Sequence, residues 1–192
     1  MDITNYNFIA GVDEVGRGCL CGPVVAAAVI LPPGFYDARI KDSKLIKSQK
    51  KREEIEAIIK EHAISWGIGA SSPQEIDQIN ILQATFLAMK RAIDACSKKP
   101  DFLYVDGDKF PGHNGIPFEC VIKGDSKIHS ISAASILAKV HRDKLMKQIG
   151  LEYPAYKWES NVGYGTADHI NEIKKSGLTK HHRKTFCLNF IK

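Results

Sequence analysis

The chain has 192 residues, of which 44% are hydrophobic and 26% charged, proportions that are ordinary for a globular protein and sufficient for a single domain with a substantial core. The 27 basic and 22 acidic residues leave a net charge of +5, an excess too small to indicate a nucleic-acid partner by itself. The longest uncharged apolar stretch, Gly18 to Pro33, contains prolines and is too short to cross a bilayer, so we expect no membrane segment.

The N-terminus and the cysteines predict a cytoplasmic protein. The first residues, Met1 to Asn7, contain no basic region followed by an apolar stretch, which a signal peptide would have. The five cysteines are odd in number and include no Cys-x-x-Cys pair, a pattern that suits neither a disulfide framework nor a zinc site. We therefore expect free thiols in a reducing compartment.

The predicted elements alternate between strand and helix patterns. In chain order they are strands over Phe8–Val12 and Val24–Leu31, a helix over Gln49–His62, a strand over Ile64–Ile68, a helix from Ser72 to about Ser97, strands over Phe102–Val105 and Phe118–Ile122, and helices over Ile131–Ile149 and Thr166–Lys175. The second helix has the clearest start, because Ser72 can cap it, Pro73 suits its first position and Glu75 completes a capping box. The order β-β-α-β-α-β-β-α-α predicts an α/β sheet with helices packed on its faces.

Four acids follow the predicted strands. Asp13 and Glu14 come after the first strand, Asp106 after the fourth and Asp125 after the fifth, and sites in open α/β sheets form at strand ends. Carboxylate oxygens are the ligands that Mg²⁺ and Mn²⁺ prefer, and a pair of such ions can catalyse phosphodiester hydrolysis. The alternative is that these acids cap helices or pair with the many lysines.

The adjacent acids raise a geometric question. Neighbouring residues on a strand point to opposite faces, so Asp13 and Glu14 can both reach one metal only under special conditions. The strand could turn, as Gly16 would permit, or Glu14 could contribute its backbone carbonyl. The sequence leaves both arrangements open.

Basic and glycine-rich segments offer contacts for an anion. Gly16-Arg17-Gly18, the Gly-Arg-Gly loop, combines close backbone approach with a guanidinium fork, although such a tripeptide is also common as a plain turn. Seven basic residues and one acid lie between Arg39 and Arg52, and no acid follows Glu172, where lysines, an arginine and histidines accumulate. These clusters can neutralise phosphates or can simply form a solvated helix face and a solubilising tail.

A series of motifs resembles bacterial ribonuclease HII in order and over nearly the whole chain. The matching segments are Gly11–Gly18, Gly22–Val29, Asp42–Lys44, Tyr104–Gly107, Lys123–Ser126, Ile131–Val140 with Arg142 and Asp143, Gly163–Thr166 and His182–Arg183. One departure is Cys19, which stands where the family often has proline.

The resemblance implies a ribonuclease H-like fold with a central mixed β-sheet flanked by helices. It implies a single catalytic domain over residues 1–192, in which about 150–192 form a small helical and loop extension that helps to bind substrate. It implies two divalent ions, Mg²⁺ or Mn²⁺, at four catalytic acids: Asp13, Glu14, Asp106 and Asp125. The substrate-binding residues that we expect are Gly16, Arg17, Gly18 and Tyr164 at the ribose 2′-hydroxyl, and Lys44, Lys180 and Arg183 at phosphates.

The implied activity is that of an endoribonuclease on RNA–DNA hybrids. It would also cut on the 5′ side of single ribonucleotides in duplex DNA, leaving 5′-phosphate and 3′-hydroxyl ends, and would act as a monomer without a membrane partner. A non-catalytic hybrid-binding protein is the main alternative, but all four acids are intact. A phosphatase would need a closed small-molecule pocket. Ribonuclease HIII usually has an additional N-terminal domain, whereas only twelve residues precede Asp13 here and Tyr164 is present.

Overall fold

The sheet of this computed structural model is mixed, as the resemblance implied. The structure describes residues 5–41, 43, 46 and 48–190, and these contain the strands β1 (Ile9–Val15), β2 (Val24–Ile30), β3 (Ser65–Ser71), β4 (Phe102–Asp106) and β5 (Phe118–Val121). Their order in the sheet is β3-β2-β1-β4-β5. The β1–β2 and β2–β3 pairs are antiparallel, whereas β1–β4 and β4–β5 are parallel.

The helices follow the predicted order. They are α1 (Gln49–His62), α2 (Pro73–Asp94), α3 (His129–Glu152), α4 (Trp158–Asn161), α5 (Ala167–Ser176) and α6 (Lys184–Cys187). The predicted capping box of α2 is confirmed. The Ser72 hydroxyl accepts a hydrogen bond from the Glu75 N–H at 3.1 Å, and the Glu75 carboxylate accepts one from the Ser72 N–H at 2.8 Å.

Both faces of the sheet are covered by helices, which is why β2 is apolar throughout. Val24 and alternate residues along β2 pack in the core against α2, whereas Val25 and the intervening residues pack in the core against α1 and α3. On β3, Gly67 and Gly69 allow α2 to approach closely. A Cβ atom at either position would lie 2.2–2.3 Å from a carbonyl oxygen of that helix.

Some predicted boundaries are wrong. β1 does not end at Val12 but continues through both acids, because Asp13 and Glu14 take part in the ladder with β2. α2 is interrupted at Asn80, whose backbone has φ 65° and whose side-chain oxygen accepts hydrogen bonds from the next turn. The short helices α4 and α6 were not predicted, since four residues are too few to show helical periodicity.

The residues after α3 have a small apolar core of their own. Tyr156, Trp158 and Ile173 pack there with Leu20 from the loop after β1 and with Met146 from α3. The C-terminal segments are therefore packed around the loop that follows the first strand. All five cysteines are free, as predicted. No helix in the described part of the chain is long and apolar enough to cross a membrane.

Candidate active site

Asp13 lies in β1 on the face of the sheet that packs against α3. It pairs across the ladder with Ala27, which belongs to the core on that face, and it is only 5% exposed. Its Oδ1 accepts a hydrogen bond from the Glu14 N–H at 2.7 Å, and the Ser135 hydroxyl of α3 donates another. The Ser135 hydroxyl is in turn 2.9 Å from that of Ser43. Two hydroxyl groups thus link Asp13 to the segment after β2.

The parallel pairing of β1 and β4 brings Asp106 next to Asp13. Val12 pairs with Val105, so the residues that follow them lie at the same edge of the sheet, where two parallel strands end. The charge of Asp106 acts on Asp13 across this gap. The sequence-based expectation that acids on separate strands converge is met for this pair.

The turn after β5 brings Asp125 to α3, beside Asp106. Lys123 has φ 56°, which turns the chain out of the strand, and the Gly124 N–H then donates to Asp106 Oδ1 at 2.7 Å. The next residue, Asp125, is 6% exposed, and its carbonyl accepts a hydrogen bond from the Ser132 hydroxyl at 2.7 Å. The turn is therefore fixed between β4 and α3. We call Asp13, Glu14, Asp106 and Asp125 the acid cluster.

Glu14 lies on the opposite face of the sheet from Asp13, as strand alternation requires. It pairs with Ala26, which belongs to the core against α2, and β1 does not turn between the two acids. The Glu14 carboxylate is 3.4 Å from the Arg17 guanidinium. The sequence left open a turn of the strand or coordination by the Glu14 backbone carbonyl. The structure has no turn between Asp13 and Glu14.

Burial and mutual repulsion raise the pKa of two members of the cluster. The pKa of Asp13 is raised well above its usual range by burial first, and then by the charges of Glu14 and Asp106. Burial also raises the pKa of Glu14, and Asp106 adds to this effect while Arg17 opposes it. Because ionised carboxylates repel one another in this poorly hydrated place, a cation bound among them would be favoured.

The donor atoms of the cluster are carboxylate oxygens, which suit Mg²⁺ or Mn²⁺. Among the residues that the structure describes, no three His, Cys, Asp or Glu side chains are arranged to hold a metal ion as they stand. Asp13, Glu14 and Asp106 instead bond to the protein donors given above. The donor set fits a divalent ion by its chemistry, and the side chains would have to come closer together to bind one.

The Gly-Arg-Gly loop is held in place by the buried guanidinium of Arg183. Its Nη2 donates to the Gly16 carbonyl at 2.6 Å, its Nη1 to the Arg17 carbonyl at 2.8 Å, and its Nε to the Gly22 carbonyl at 3.0 Å. The side chain of Arg183 is fully buried. One side chain therefore fixes two carbonyl groups within the loop and one in the segment that follows it.

A second buried guanidinium, that of Arg142 in α3, holds the rest of this segment. It donates to the carbonyl groups of Cys21, Pro23 and Val162 at 2.8–3.0 Å. Gly16 packs directly on it with φ 90°, and a Cβ atom there would lie 2.2 Å from the Arg142 Nε. Glycine is therefore required at the start of the loop.

Tyr164 lies beside Cys19, directly after the Gly-Arg-Gly loop. The carbonyl of Gly163 accepts hydrogen bonds from the N–H groups of Leu20 and Cys21 at 2.8 and 3.3 Å, which ties the two segments together. Tyr164 is 43% exposed, and burial together with the neighbouring Cys19 thiol raises the pKa of its hydroxyl. An accessible aromatic ring thus stands beside a rigid backbone loop.

This arrangement occurs in a chain that is similar to known proteins over most of its length. A family model described as Ribonuclease HII matches residues 10–190. The chain belongs to the ribonuclease HII family. The ribonuclease HII of Parabacteroides distasonis is 52% identical to it over 179 residues, which are 93% of this chain and 89% of that one. The protein is thus a metal-dependent endonuclease that degrades the RNA of RNA–DNA hybrids.

Solved structures confirm the ribonuclease H-like fold. Ribonuclease H2 from Pyrococcus horikoshii OT3 matches with a TM-score of 0.78 and 24% identity, over 95% of this chain and 96% of that one. The ribonuclease HII of Archaeoglobus fulgidus, solved as a complex with PCNA, matches with a TM-score of 0.70 and 25% identity, over 92% and 93% of the two chains.

The structure of this ribonuclease HII corrects the role predicted for Arg183. A phosphate contact requires an exposed guanidinium, but that of Arg183 is buried and bonded to three carbonyl groups. Burial lowers the pKa of Arg183 to about 10, so the group still carries its charge at neutral pH. Its role is to shape the Gly-Arg-Gly loop.

Neither Lys180 nor Arg17 makes a contact that tests its predicted role toward substrate. Lys180 is exposed, with its Nζ 3.8 Å from Glu152, and its carbonyl accepts a hydrogen bond from the Gln74 side chain at 2.7 Å. The Arg17 side chain is half-exposed. Lys44 lies outside the described residues. Substrate contacts by Lys44 and Lys180 stay predictions.

Sequence reasoning missed the roles of three polar residues of α3: Ser132, Ser135 and Arg142. The two serines hold Asp125 and Asp13 respectively. Their spacing of three residues places them on one face of the helix, so two hydroxyl groups within the otherwise apolar, buried run Ile131–Ala138 could have indicated a polar role. Arg142 gave no such signal, because its partners are backbone carbonyl groups far away in the sequence.

A pair of buried histidines supports the loop that carries Tyr164. His169 Nδ1 donates to the Tyr164 carbonyl at 2.8 Å, its Nε2 accepts a hydrogen bond from the Trp158 indole N–H at 3.0 Å, and the Nε2 atoms of His169 and His182 are 3.1 Å apart. His182 Nδ1 accepts a hydrogen bond from the Thr179 N–H at 2.9 Å. This set of hydrogen bonds is complete only when both rings are neutral.

We expect this histidine pair to make the enzyme less stable in mild acid. Burial lowers the pKa of His182 from its ordinary value of 6.5 to about 4. The unfolded chain takes up this proton below pH 6.5, whereas the folded chain does not until about pH 4, so the free energy of unfolding should fall as the pH decreases through this window. His182→Gln removes the titrating group. The stability advantage of the wild type over this variant, measured by urea unfolding, should shrink as the pH falls, and a constant difference would contradict the prediction.

Proposed function

We propose that this ribonuclease HII cuts duplex DNA on the 5′ side of a single embedded ribonucleotide, leaving 5′-phosphate and 3′-hydroxyl ends. The observation that carries the proposal is the placement of Tyr164 beside Cys19, directly after the Gly-Arg-Gly loop that follows the strand holding Asp13. The 2′-hydroxyl is both a donor and an acceptor, and it distinguishes RNA from DNA at one site. A rigid backbone loop offers fixed polar groups to it, and an accessible ring offers a surface to the sugar.

In this proposal the acid cluster holds two divalent ions, Mg²⁺ or Mn²⁺. When bound, such ions supply an activated water and neutralise the charge on the departing 3′-oxygen. The Asp13 carboxylate accepts a hydrogen bond from the Ser135 hydroxyl, and the Asp125 backbone carbonyl accepts one from the Ser132 hydroxyl, so both residues are tied to α3. Glu14 lies on the other face of β1, and its backbone carbonyl is an alternative donor. The proposed ligands are Asp13, Glu14, Asp106 and Asp125.

One copy of the chain contains every residue that the proposal assigns to the site. The acid cluster, the Gly-Arg-Gly loop and Tyr164 all belong to one chain and lie around one edge of its sheet. We therefore propose that the enzyme acts as a monomer on its nucleic-acid substrates. Those substrates are RNA–DNA hybrids and DNA that contains ribonucleotides.

The test compares cleavage of two substrates by the wild type and by Tyr164→Ala. The wild type should cut a DNA duplex with one ribonucleotide at a single position, with the ends stated above. Tyr164→Ala should reduce this rate by roughly ten- to a hundredfold, because it loses one hydrogen bond and an aromatic contact. Its rate on a long RNA–DNA hybrid should fall less, since a long hybrid offers many alternative registers.

Two results would overturn parts of this proposal. Failure of the wild type to cut the single-ribonucleotide duplex would overturn the function itself. An equal loss on both substrates would show that Tyr164 supports general binding and does not recognise the junction. Circular dichroism should show that Tyr164→Ala is still folded, because the side chain is 43% exposed.

A further inference from the structure

Lys139 belongs to the face of α3 that supports the site. The same face supplies Ser135, whose hydroxyl donates to Asp13, and Arg142, which holds carbonyl groups after the Gly-Arg-Gly loop and before Tyr164. Lys139 follows Ser135 by four residues and precedes Arg142 by three, so the three side chains share one side of the helix. Lys139 therefore lies between the acid cluster and the segments that we propose to recognise the ribose.

The ammonium group of Lys139 is bonded to the buried carboxylate of Asp143. Its Nζ donates to Asp143 Oδ1 at 2.7 Å, one turn further along α3. The side chain of Asp143 is 8% exposed and that of Lys139 is 22% exposed, so a ligand can reach the cation more easily than the acid. After burial and the Cys19 thiol, the charge of Asp143 also raises the pKa of the Tyr164 hydroxyl. The ion pair therefore lies near that hydroxyl.

Asp143 has a second cationic partner in Arg52 of α1. The Arg52 guanidinium is 3.5 Å from Asp143 Oδ2 and also donates to the Ile46 carbonyl. Two positive charges thus share one negative charge, and Arg52 would still neutralise Asp143 if Lys139 turned toward another anion. A surplus of one positive charge remains beside a site that is otherwise built from acids. Such a charge would offset the repulsion between those acids and an incoming phosphate.

We propose that Lys139 is a further substrate-binding residue, whose ammonium group exchanges Asp143 for a substrate phosphate within one nucleotide of the cut. The acid cluster would hold the scissile phosphate on one side of Lys139, and the Gly-Arg-Gly loop with Tyr164 would hold the ribose on the other. A phosphate is accessible on the outside of a fully paired duplex, so this contact requires no base to leave the helix. The inference rests on the proposed function, and it names the residue that aligns the phosphate with the ribose.

The interface between α1 and α3 contains a matched control. Lys144 donates to the buried carboxylate of Glu56 at 2.7 Å, and Lys60 donates to the same carboxylate at 2.8 Å. One buried acid is again shared by two cations, as at Asp143. Lys144, however, follows Lys139 by five residues, which is about 140° around the helix. Lys144→Met therefore removes the same charge from a similar ion pair on another side of α3.

The experiment measures binding by fluorescence anisotropy in EDTA, so that no cleavage occurs. The probe is a labelled DNA duplex with one central ribonucleotide. Lys139→Met keeps the apolar stem and should weaken binding roughly three- to tenfold, because the lost phosphate contact had replaced the contact with Asp143. The slope of log affinity against log salt should decrease by up to about 0.9. Lys139→Arg keeps the charge and should keep the slope, and Lys144→Met should change neither quantity.

A neutral methylphosphonate in the probe locates the contact. It replaces in turn the scissile phosphate and the phosphate on either side of it. At one of these three positions Lys139→Met should cause no further loss of affinity, because the probe has already lost the charge that Lys139 contacts. Lys139→Gln removes the charge but keeps a donor for Asp143, so it tests the same loss if the methionine destabilises the fold.

Three results would overturn the inference. The first is an unchanged salt slope in a Lys139→Met or Lys139→Gln variant that urea unfolding shows to be folded. The second is an equal loss in Lys144→Met, which would indicate a general effect of charge. The third is a full effect of Lys139→Met at all three modified positions, which would indicate an indirect effect through Asp143.

Cleavage of the unmodified duplex by the wild type with Mg²⁺ is measured separately. Failure of this reaction would overturn the proposed function. The binding measurements contain no metal and involve no cleavage, so they decide the role of Lys139 alone.

Discussion

Asp125→Asn is expected to abolish cleavage, with a loss of at least roughly a thousandfold, or about 4 kcal/mol of transition-state stabilisation. The change removes the charge of a proposed metal ligand but keeps the shape of the side chain. The Ser132 hydroxyl bonds to the backbone carbonyl of this residue, so the turn should keep its position. Substrate binding should be retained or become slightly tighter, because the site loses negative charge near a polyanion.

Three measurements check this expectation: the rate of cleavage with Mg²⁺, the affinity for Mn²⁺ by calorimetry, and the affinity for substrate without metal. The first two should fall, and the third should not. Asp168→Asn is the control, since Asp168 is an exposed acid of α5 that pairs with Lys157. Near-normal turnover of Asp125→Asn with Mg²⁺ would show that the acid cluster does not hold the metals as proposed.

Arg183→Lys is expected to destabilise the folded protein by about 3–5 kcal/mol. A lysine keeps the charge, but it cannot donate to the Gly16, Arg17 and Gly22 carbonyl groups together as the guanidinium fork does. At least two buried carbonyl groups would be left without this donor. The Gly-Arg-Gly loop should lose its fixed shape, and discrimination in favour of single ribonucleotides should be lost with it.

Urea unfolding at neutral pH measures the first effect. Arg39→Lys makes the same substitution at an exposed arginine that pairs with Asp37, and it should change the free energy of unfolding by less than about 1 kcal/mol. The ratio of cleavage rates on a single-ribonucleotide duplex and a long hybrid measures the second effect in the variant that remains folded. Equal stability of Arg183→Lys and the wild type would mean that these hydrogen bonds do not hold the loop.

The sequence by itself determined the order and type of the main elements. The all-apolar run predicted β2 correctly because both faces of this strand are covered. The start of α2 was predicted correctly because Ser72, Pro73 and Glu75 act within one turn. These signals are local, and periodicity and capping are properties of neighbouring residues. The acids could be singled out for the same reason, since each follows an apolar run in the sequence.

Only the tertiary structure decided how the site is assembled. The opposite orientation of Asp13 and Glu14 follows from the ladder with β2, which continues past the predicted end of β1. The burial of Arg183 depends on carbonyl groups more than 150 residues earlier in the chain, such as that of Gly16. The link from Ser43 through Ser135 to Asp13 likewise joins distant segments. A charged or hydroxyl side chain has the same local pattern whether it faces solvent or a backbone carbonyl, and only the packing of remote segments distinguishes the two.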